Sequence, residues 1–410
     1  MKKIKKEITQ CWCGGTIGEP KINLGDIPSC DAYTTEFEKA LGVPAAKVEI
    51  GICDNCQLIQ LTERFNPSEM YQDYIYKTSD SPGLVEHFQK FAKFVNDEFP
   101  DSLNILDIGC NEGILLKFLK ENYSLNVLGV EPSDIGKNGC IENNIEVIQD
   151  YFSNEISKSI YKNKGLQDLI FANNVLANIE DLSEFMINVN NLLVTKGFFI
   201  FETIIFEGIV DSMTVEMVNH EHYYYFTDES VHNLCLAFGF KMIKSIKMDL
   251  KGGSARYICQ KISRPIKPNE NTYIEYKNID KFNNFRSSLS LVQDEIHSYL
   301  QKMKSNGFSI YGFGAHAGAT ILIYALKLEG LIDCLFDDNK RRENLFSPGT
   351  GIKVNNIEST EIPKKSILIV FAWRYVEQIK NRHKVSLGVF EKIIIPLPNM
   401  IVLNKNEFDV

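Results

Sequence analysis

At 410 residues the chain exceeds what one hydrophobic core usually supports, so two or three domains are expected. Hydrophobic residues make up 44% and charged residues 24%, the balance of a soluble globular protein, and a net charge of −9 argues against a dedicated nucleic-acid binder. No apolar run reaches the roughly 18 residues that cross a bilayer and no signal-peptide core opens the chain, so no membrane partner and a cytoplasmic setting are expected. Its ten Cys are then thiols or metal ligands, not structural disulfides.

Residues 1–70 read as a metal-stapled module. Cys11-x-Cys13-Gly14-Gly15 is answered, across a spacer, by Cys53-Asp54-Asn55-Cys56. Two turns that each offer a close Cys pair suit a structural Zn²⁺ held by four thiolates, and four Cys leave no open position for catalysis. The first pair is C-x-C rather than C-x-x-C, and Cys30 is an alternative ligand. The spacer holds few large apolar residues, which is why a staple is needed. The Lys run at Lys2–Lys6 reads as a solvated tail. Tyr71, Tyr74 and Tyr76 then precede a helix with apolar positions Leu84, Phe88, Phe91, Ala92 and Val95.

The stretch Leu103–Ser133 carries the chemistry of the middle of the chain. A strand over Asn104–Ile108 breaks at Gly109, Gly113 opens a helix through Ile114, Leu115, Phe118 and Leu119, and a second strand, Val127–Val130, ends in Glu131. Such a strand–turn–helix–strand unit binds adenosine-containing cofactors at the carboxyl edge of a parallel sheet. The turn, with Asp107, Gly109, Asn111 and Gly113, reads D-x-G-x-x-x-G. Its acids, Asp107 and Glu112, would repel a pyrophosphate but suit a sulfonium and an amino group, so S-adenosylmethionine fits better than NAD. Glu131 is placed to accept from the ribose hydroxyls and Asp150 to meet the adenine. Asn173 and Asn174, at the end of a buried strand over Asp168–Asn174, face the methionyl part. Leu192–Glu202 reads as a helix end, a Gly turn at Gly197 and a strand over Phe198–Phe201.

Asn219–Thr227 (NHEHYYYFT) is the densest chemical segment. His is the side chain whose charge changes near neutral pH and is the usual general base. The alternatives are a His-rich turn packed on Tyr rings or a metal site, though His220 and His222 are two apart, as on a strand or loop, whereas helical metal pairs sit four apart. Catalysis is favoured over both because the segment follows directly on the cofactor domain. Lys251–Arg256 (KGGSAR) is a second Gly turn, Pro265–Glu270 a linker, and 279–303 a long amphipathic helix. Phe308–Leu326 then resembles a Rossmann half, with Gly312, Gly314, Ala315 and Gly318 at its turn and Asp337 beyond, followed by a strand at Ile367–Phe371, a helix at Tyr375–Arg382 and a strand at Lys392–Ile395. The fold class is α/β: a doubly wound Rossmann-like methyltransferase domain (71–262) between a small zinc module (1–70) and a second Rossmann-like domain (263–410).

Taken together, Cys53-x-x-Cys56, LDIGCNEGILL (106–116), GVEPS (129–133), ANNVLANIEDL (172–182), HEHYYYF (220–226), GGSAR (252–256), GFGA (312–315) and FAW (371–373) resemble the three-domain S-adenosylmethionine-dependent C-methyltransferases of nucleotide-linked 4-keto-deoxysugars. The resemblance implies that His222 is the base, Glu221 its support, and Tyr76 a donor to an enolate oxygen, with the C-terminal domain holding the nucleotide sugar. Three positions depart from the family pattern. Asn219 stands where a Tyr is usual, the C-terminal Gly loop carries His316 and no Lys, and Lys251 replaces the His of a His-Gly-Gly turn. O- or N-methylation of a related metabolite, and a non-enzymatic zinc-stapled nucleotide-binding scaffold, are the competing readings. The oligomeric state stays open.

Overall fold

The structure, a computed structural model, describes residues 5–65, 77–80, 82–250, 252–262 and 272–407. Its first part is built on β-sheet. Strands β2 (Ile22–Pro28), β3 (Ala45–Ile52) and β4 (Ile59–Leu61) are antiparallel, and β1 (Lys5–Glu7) pairs with β5 (Glu63–Phe65) as a separate ribbon. The signal was the alternation in β3, where Ala46, Val48 and Ile50 point inward with nothing of them exposed. The fourth strand of that sheet is β11 (Tyr224–Tyr225), supplied from far along the chain as Tyr224 pairs with Gln60. A contribution at that sequence distance leaves no local periodicity to read.

The middle of the chain begins with helix α2 (Pro82–Glu98) and builds a seven-stranded sheet. Strand β6 (Asn104–Ile108) lies between β7 (Asn126–Val130) and β9 (Gln167–Asn173), all parallel, with β8 (Val147–Ile148) outside β7. On the other side follow β10 (Leu193–Ile204), β13 (Ser254–Lys261) and β12 (Phe240–Met248), the last two antiparallel. The expected turn at Gly197 does not interrupt β10. One strand runs through it, and its register against β9 slips between Leu193 and Phe198, with Lys196 at φ +67°. Between these pairs β10 advances five positions while β9 advances two, from Gln167 to Leu169, so an irregular bulge absorbs three extra residues without ending the strand.

In the C-terminal part, α9 (Asp280–Ser305) buries Phe282, Phe285, Leu289, Val292, Ile296 and Leu300 at three- and four-residue steps. Strand β14 (Ser309–Phe313) lies between β15 (Cys334–Phe336) and β17 (Ser366–Val370), all parallel, and α10 (Ala317–Ala325) leaves its tip. Thus β6 and β14 each occupy the position where strand order reverses, and a glycine turn follows each. Ligand crevices open at that position in doubly wound sheets. One apolar core runs from Ile50 through Phe201 to Phe282 and Ile321, so the three parts are packed as one body. No helix among the described residues is long and apolar enough to cross a membrane.

Candidate functional site

The four N-terminal cysteines converge. The Sγ atoms of Cys11, Cys13, Cys53 and Cys56 lie within 4.8 Å of one another, with Cys11–Cys56 and Cys13–Cys53 both at 3.5 Å. Four thiolates about 2.3 Å from one Zn²⁺ at tetrahedral angles sit about 3.8 Å apart, so this donor set fits the ion. Cys30 lies outside this cluster, and its carbonyl accepts from Thr320 Oγ1 at 2.9 Å on the side of the C-terminal part. The centre also fastens the N-terminal sheet to the middle domain through α8 (Asp228–Ala237), where buried Asn233 donates to the carbonyl of Cys56 at 3.1 Å. These are the features of a structural metal centre.

At the tip of β6 the chain turns through Gly109, whose φ of +71° favours glycine and whose Cβ, if present, would stand 2.5 Å from Val175 Cγ2. Gly113, at φ +68°, then caps α3 (Ile114–Tyr123). Glu131 ties the turn to β7: Asn111 N donates to Oε2 at 3.0 Å, and Ser133 N and Oγ donate to Oε1 at 2.9 and 2.6 Å. A second strap was not singled out from the sequence. Thr78 N and Oγ1 donate to Asn111 Oδ1 at 3.0 and 3.1 Å, and Ser79 N and Oγ donate to the Glu112 carboxylate. The donor-rich Lys77-Thr78-Ser79 ahead of a helix was the available signal.

Two side chains at this edge carry buried polar atoms without a hydrogen-bond partner. Asp107 is 4% exposed, its Oδ1 has no hydrogen-bond partner, and burial together with Glu131 and Glu202 pushes its pKa up to about 8. Both side-chain polar atoms of Asn173 are buried and unpartnered. Asn174 beside it is left-handed, at φ +58°, and its N donates to Glu202 O at 2.7 Å. Asp150 is exposed just past β8, its Oδ1 accepting from Tyr151 N. Unsatisfied buried acceptors, acids outnumbering cations, and a glycine turn at the switch point suit S-adenosylmethionine, whose sulfonium and ammonium would satisfy them.

Glu202 and Arg256 form the electrostatic base of this edge; the sequence names each only as the last residue of a segment, not as a pair. Arg256 Nε and Nη2 meet Glu202 Oε1 at 2.7 and 2.5 Å, His87 Nε2 meets Oε2 at 2.8 Å, and the guanidinium lies 3.6 Å over the Phe91 ring. Two partners on strands paired across β10 and β13 cannot be matched from spacing alone.

The H-E-H segment returns to the same edge, where Tyr223 N donates to Ala177 O at 2.6 Å, just beyond Asn173 and Asn174. The structure separates its two histidines. His220 is fully buried, with Nε2 against Ala46 O at 3.1 Å and its ring on Phe65, and burial lowers its pKa to about 4. His222 is half-buried, and its Nδ1 lies 2.9 Å from Met217 O. A carbonyl accepts only, so the proton sits on Nδ1 and the basic lone pair on Nε2. Asn219 braces the loop, its Nδ2 donating to Glu216 O at 3.0 Å and its Oδ1 accepting from Glu221 N at 2.9 Å. Glu221 is half-buried, and its charge acts on the Cys30 thiol. Tyr71, Tyr74, Tyr76 and Lys251 lie outside the described residues.

The second glycine turn faces the N-terminal sheet. Ala315 N donates to Asp337 Oδ2 at 2.6 Å, and Arg342 pairs with Asp31 at 2.8 Å. The His316 ring lies over its own turn, 3.2 Å from where a Gly314 Cβ would be and 2.9 Å from that of Gly318, and burial lowers its pKa to about 4.

Three family profiles match successive stretches: a zinc binding domain at 12–71, a methyltransferase domain at 83–245 and a C-methyltransferase C-terminal domain at 249–398. The C-methyltransferase NovU of Streptomyces niveus is 22% identical over 98% of this chain and 99% of its own. Among solved structures, an O-methyltransferase family protein from Burkholderia thailandensis is 12% identical, with TM-score 0.35 over 44% of this chain and 57% of that one. The magnesium protoporphyrin IX methyltransferase of Synechocystis PCC 6803, solved with bound SAM, is 13% identical, with TM-score 0.33 over 46% and 86%.

Proposed function

We propose that this chain, an S-adenosylmethionine-dependent methyltransferase of the C-methyltransferase family with a structural zinc module, methylates a carbon of a nucleotide-linked 4-keto-deoxysugar. The cofactor supplies an electrophilic methyl group on a sulfonium. The rest of the chemistry falls to the chain. A 4-ketone acidifies the hydrogen on the neighbouring carbon, His222 Nε2 takes that proton, and the enolate carbon forms the new bond to the methyl as the carbon–sulfur bond breaks. Asp107 and Asn173 hold the cofactor against the turn at Gly109 and Gly113, Glu131 takes the ribose hydroxyls, and Asp150 and Asn174 flank it. Tyr76 is assigned to the enolate oxygen, where a fixed donor stabilises developing charge. Glu221 supports His222, and Asn219 sets the loop that presents it. The C-terminal domain carries the nucleotide.

The observation that carries this reading is the division of labour in H-E-H. His220 is consumed by packing, whereas the Met217 carbonyl leaves His222 with its basic nitrogen on the other side of the ring. His222→Gln keeps a hydrogen-bonding side chain but no base. It should bind S-adenosylmethionine as the parent does and lose turnover by about 10²–10⁴-fold. Deuterium placed beside the substrate ketone should leave during turnover. A fully active variant, or deuterium retained in the product, would replace this reading with methylation on oxygen or nitrogen.

A further inference from the structure

A small cavity lies behind the H-E-H segment, lined by Lys6, Ile8, Arg64, Phe65, Glu180 and Tyr223, with a volume of about 50 Å³. That exceeds the 10–15 Å³ or so that a single water needs. Arg64 is only 6% exposed, yet no carboxylate among the described residues pairs with it. Its Nη1 meets Tyr224 OH at 3.4 Å, its Nη2 meets Gln60 Oε1 at 3.2 Å, and its Nε has no partner. The hydroxyl of Tyr223, a residue 1% exposed, is also unpartnered. The Tyr223 and Tyr224 rings lie 4.6 and 4.7 Å from the guanidinium carbon, which spreads the charge without neutralising it.

The ribbon of β1 and β5 points the same way. On one face Lys5 pairs with Glu63 at 3.1 Å. On the other, Lys6 stands directly opposite Arg64 in the strand register, and no acid pairs with either among the described residues. Like charges facing each other across a strand pair are unfavourable, and a buried unpaired cation is costly. Both costs vanish if an anion sits between them. The one acid on the lining, Glu180, is exposed, and its carbonyl, not its carboxylate, receives the Tyr224 hydroxyl.

We propose that Arg64, Lys6 and the Tyr223 hydroxyl form a binding pocket for a single oxyanion of phosphate or carboxylate size, one residue from His222. Arg64 Nε and Tyr223 OH donate to it, and Lys6 closes it from the open side. The anion is either free in solution or a phosphate of the acceptor; only the second case rests on the function proposed above, and the binding itself does not.

Inorganic phosphate titrated into the full-length zinc-loaded chain at constant ionic strength, followed by calorimetry and by Tm, tests this without turnover. Saturable binding beyond that of chloride is expected, at least tenfold weaker in Arg64→Met and severalfold weaker in Tyr223→Phe. The second variant removes one oxygen and keeps the ring, so it serves even if the first folds poorly. A nucleoside diphosphate that displaces the phosphate assigns the pocket to the acceptor, and independent binding assigns it to a free anion. No saturable phosphate binding in the parent chain, or binding equal in the parent and Tyr223→Phe, would overturn the proposal.

Discussion

The two glycine turns of this molecule are built alike and left in opposite states. In each, a carboxylate at the end of the next strand accepts the backbone N–H of the turn: Asn111 to Glu131 in the first, Ala315 to Asp337 in the second. Each carboxylate also accepts from the residue two further on, Ser133 and Asn339. The first turn then lies beside buried polar atoms that lack partners, Asp107 Oδ1 and the side-chain amide of Asn173. The second is covered by its own side chain, His316. Backbone plan alone therefore does not say where a cationic cofactor goes. What distinguishes the sites is unsatisfied polarity in the first and self-coverage in the second.

The largest test of that contrast removes a cation near each turn. Arg256 is buried against Glu202, with side chains 8% and 2% exposed, so Arg256→Met takes the guanidinium from a buried carboxylate that keeps its contact with His87. A loss of about 3–5 kcal/mol in unfolding free energy is expected from denaturant melts. The counterpart, Arg342→Met, breaks a pair whose Asp31 is 42% exposed and should cost about 1 kcal/mol or less. Equal losses would mean that the first turn is no more buried in effect than the second. A smaller difference comes from pH. His316 is held neutral, with its pKa at about 4 against about 6.5 unfolded, so the unfolded chain binds the extra proton as pH falls. Stability should therefore drop between about pH 6.5 and pH 4, by at most about 3 kcal/mol and less for a ring partly open to solvent. His316→Gln should flatten that part of the profile, and an unchanged profile would show that the ring does not cover the turn in solution.

What could be read before the structure was local. The strand at Asn104–Ile108, the turn residues Gly109 and Gly113, and the acid Glu131 are set by period and spacing within thirty or so residues, and they form as expected. The four-Cys set was legible because each knuckle is a short motif, and only geometry removed Cys30 from it. What escaped was what two distant segments make together. Strand β11 completes a sheet begun near the N-terminus, Thr78 and Ser79 strap a turn thirty-three residues on, and Glu202 meets Arg256 across two strands. The different fates of His220 and His222 likewise depend on Ala46 and Met217, of which only Met217 is near in sequence.

The finest test lies on Asp107, where stability and binding should move in opposite directions. Its carboxyl is raised to about 8 in the folded chain, so between about pH 4 and pH 8 the native state binds a proton that the unfolded state does not. The contribution of this residue to stability thus falls as pH rises through that window, and Asp107→Asn should remove the fall and raise Tm near pH 8. A bound sulfonium or ammonium would favour the ionised form and expel the proton. S-adenosylmethionine binding near pH 6.5 should therefore release a proton, visible as a dependence of calorimetric enthalpy on buffer ionisation heat. Affinity should climb with pH and level off above about 8. In Asp107→Asn the proton release should disappear and affinity should weaken by about ten- to a hundredfold, the worth of one charged hydrogen bond. Parent-like affinity in the variant would show that the cofactor's positive groups are met elsewhere, and the first turn would lose what sets it apart from the second.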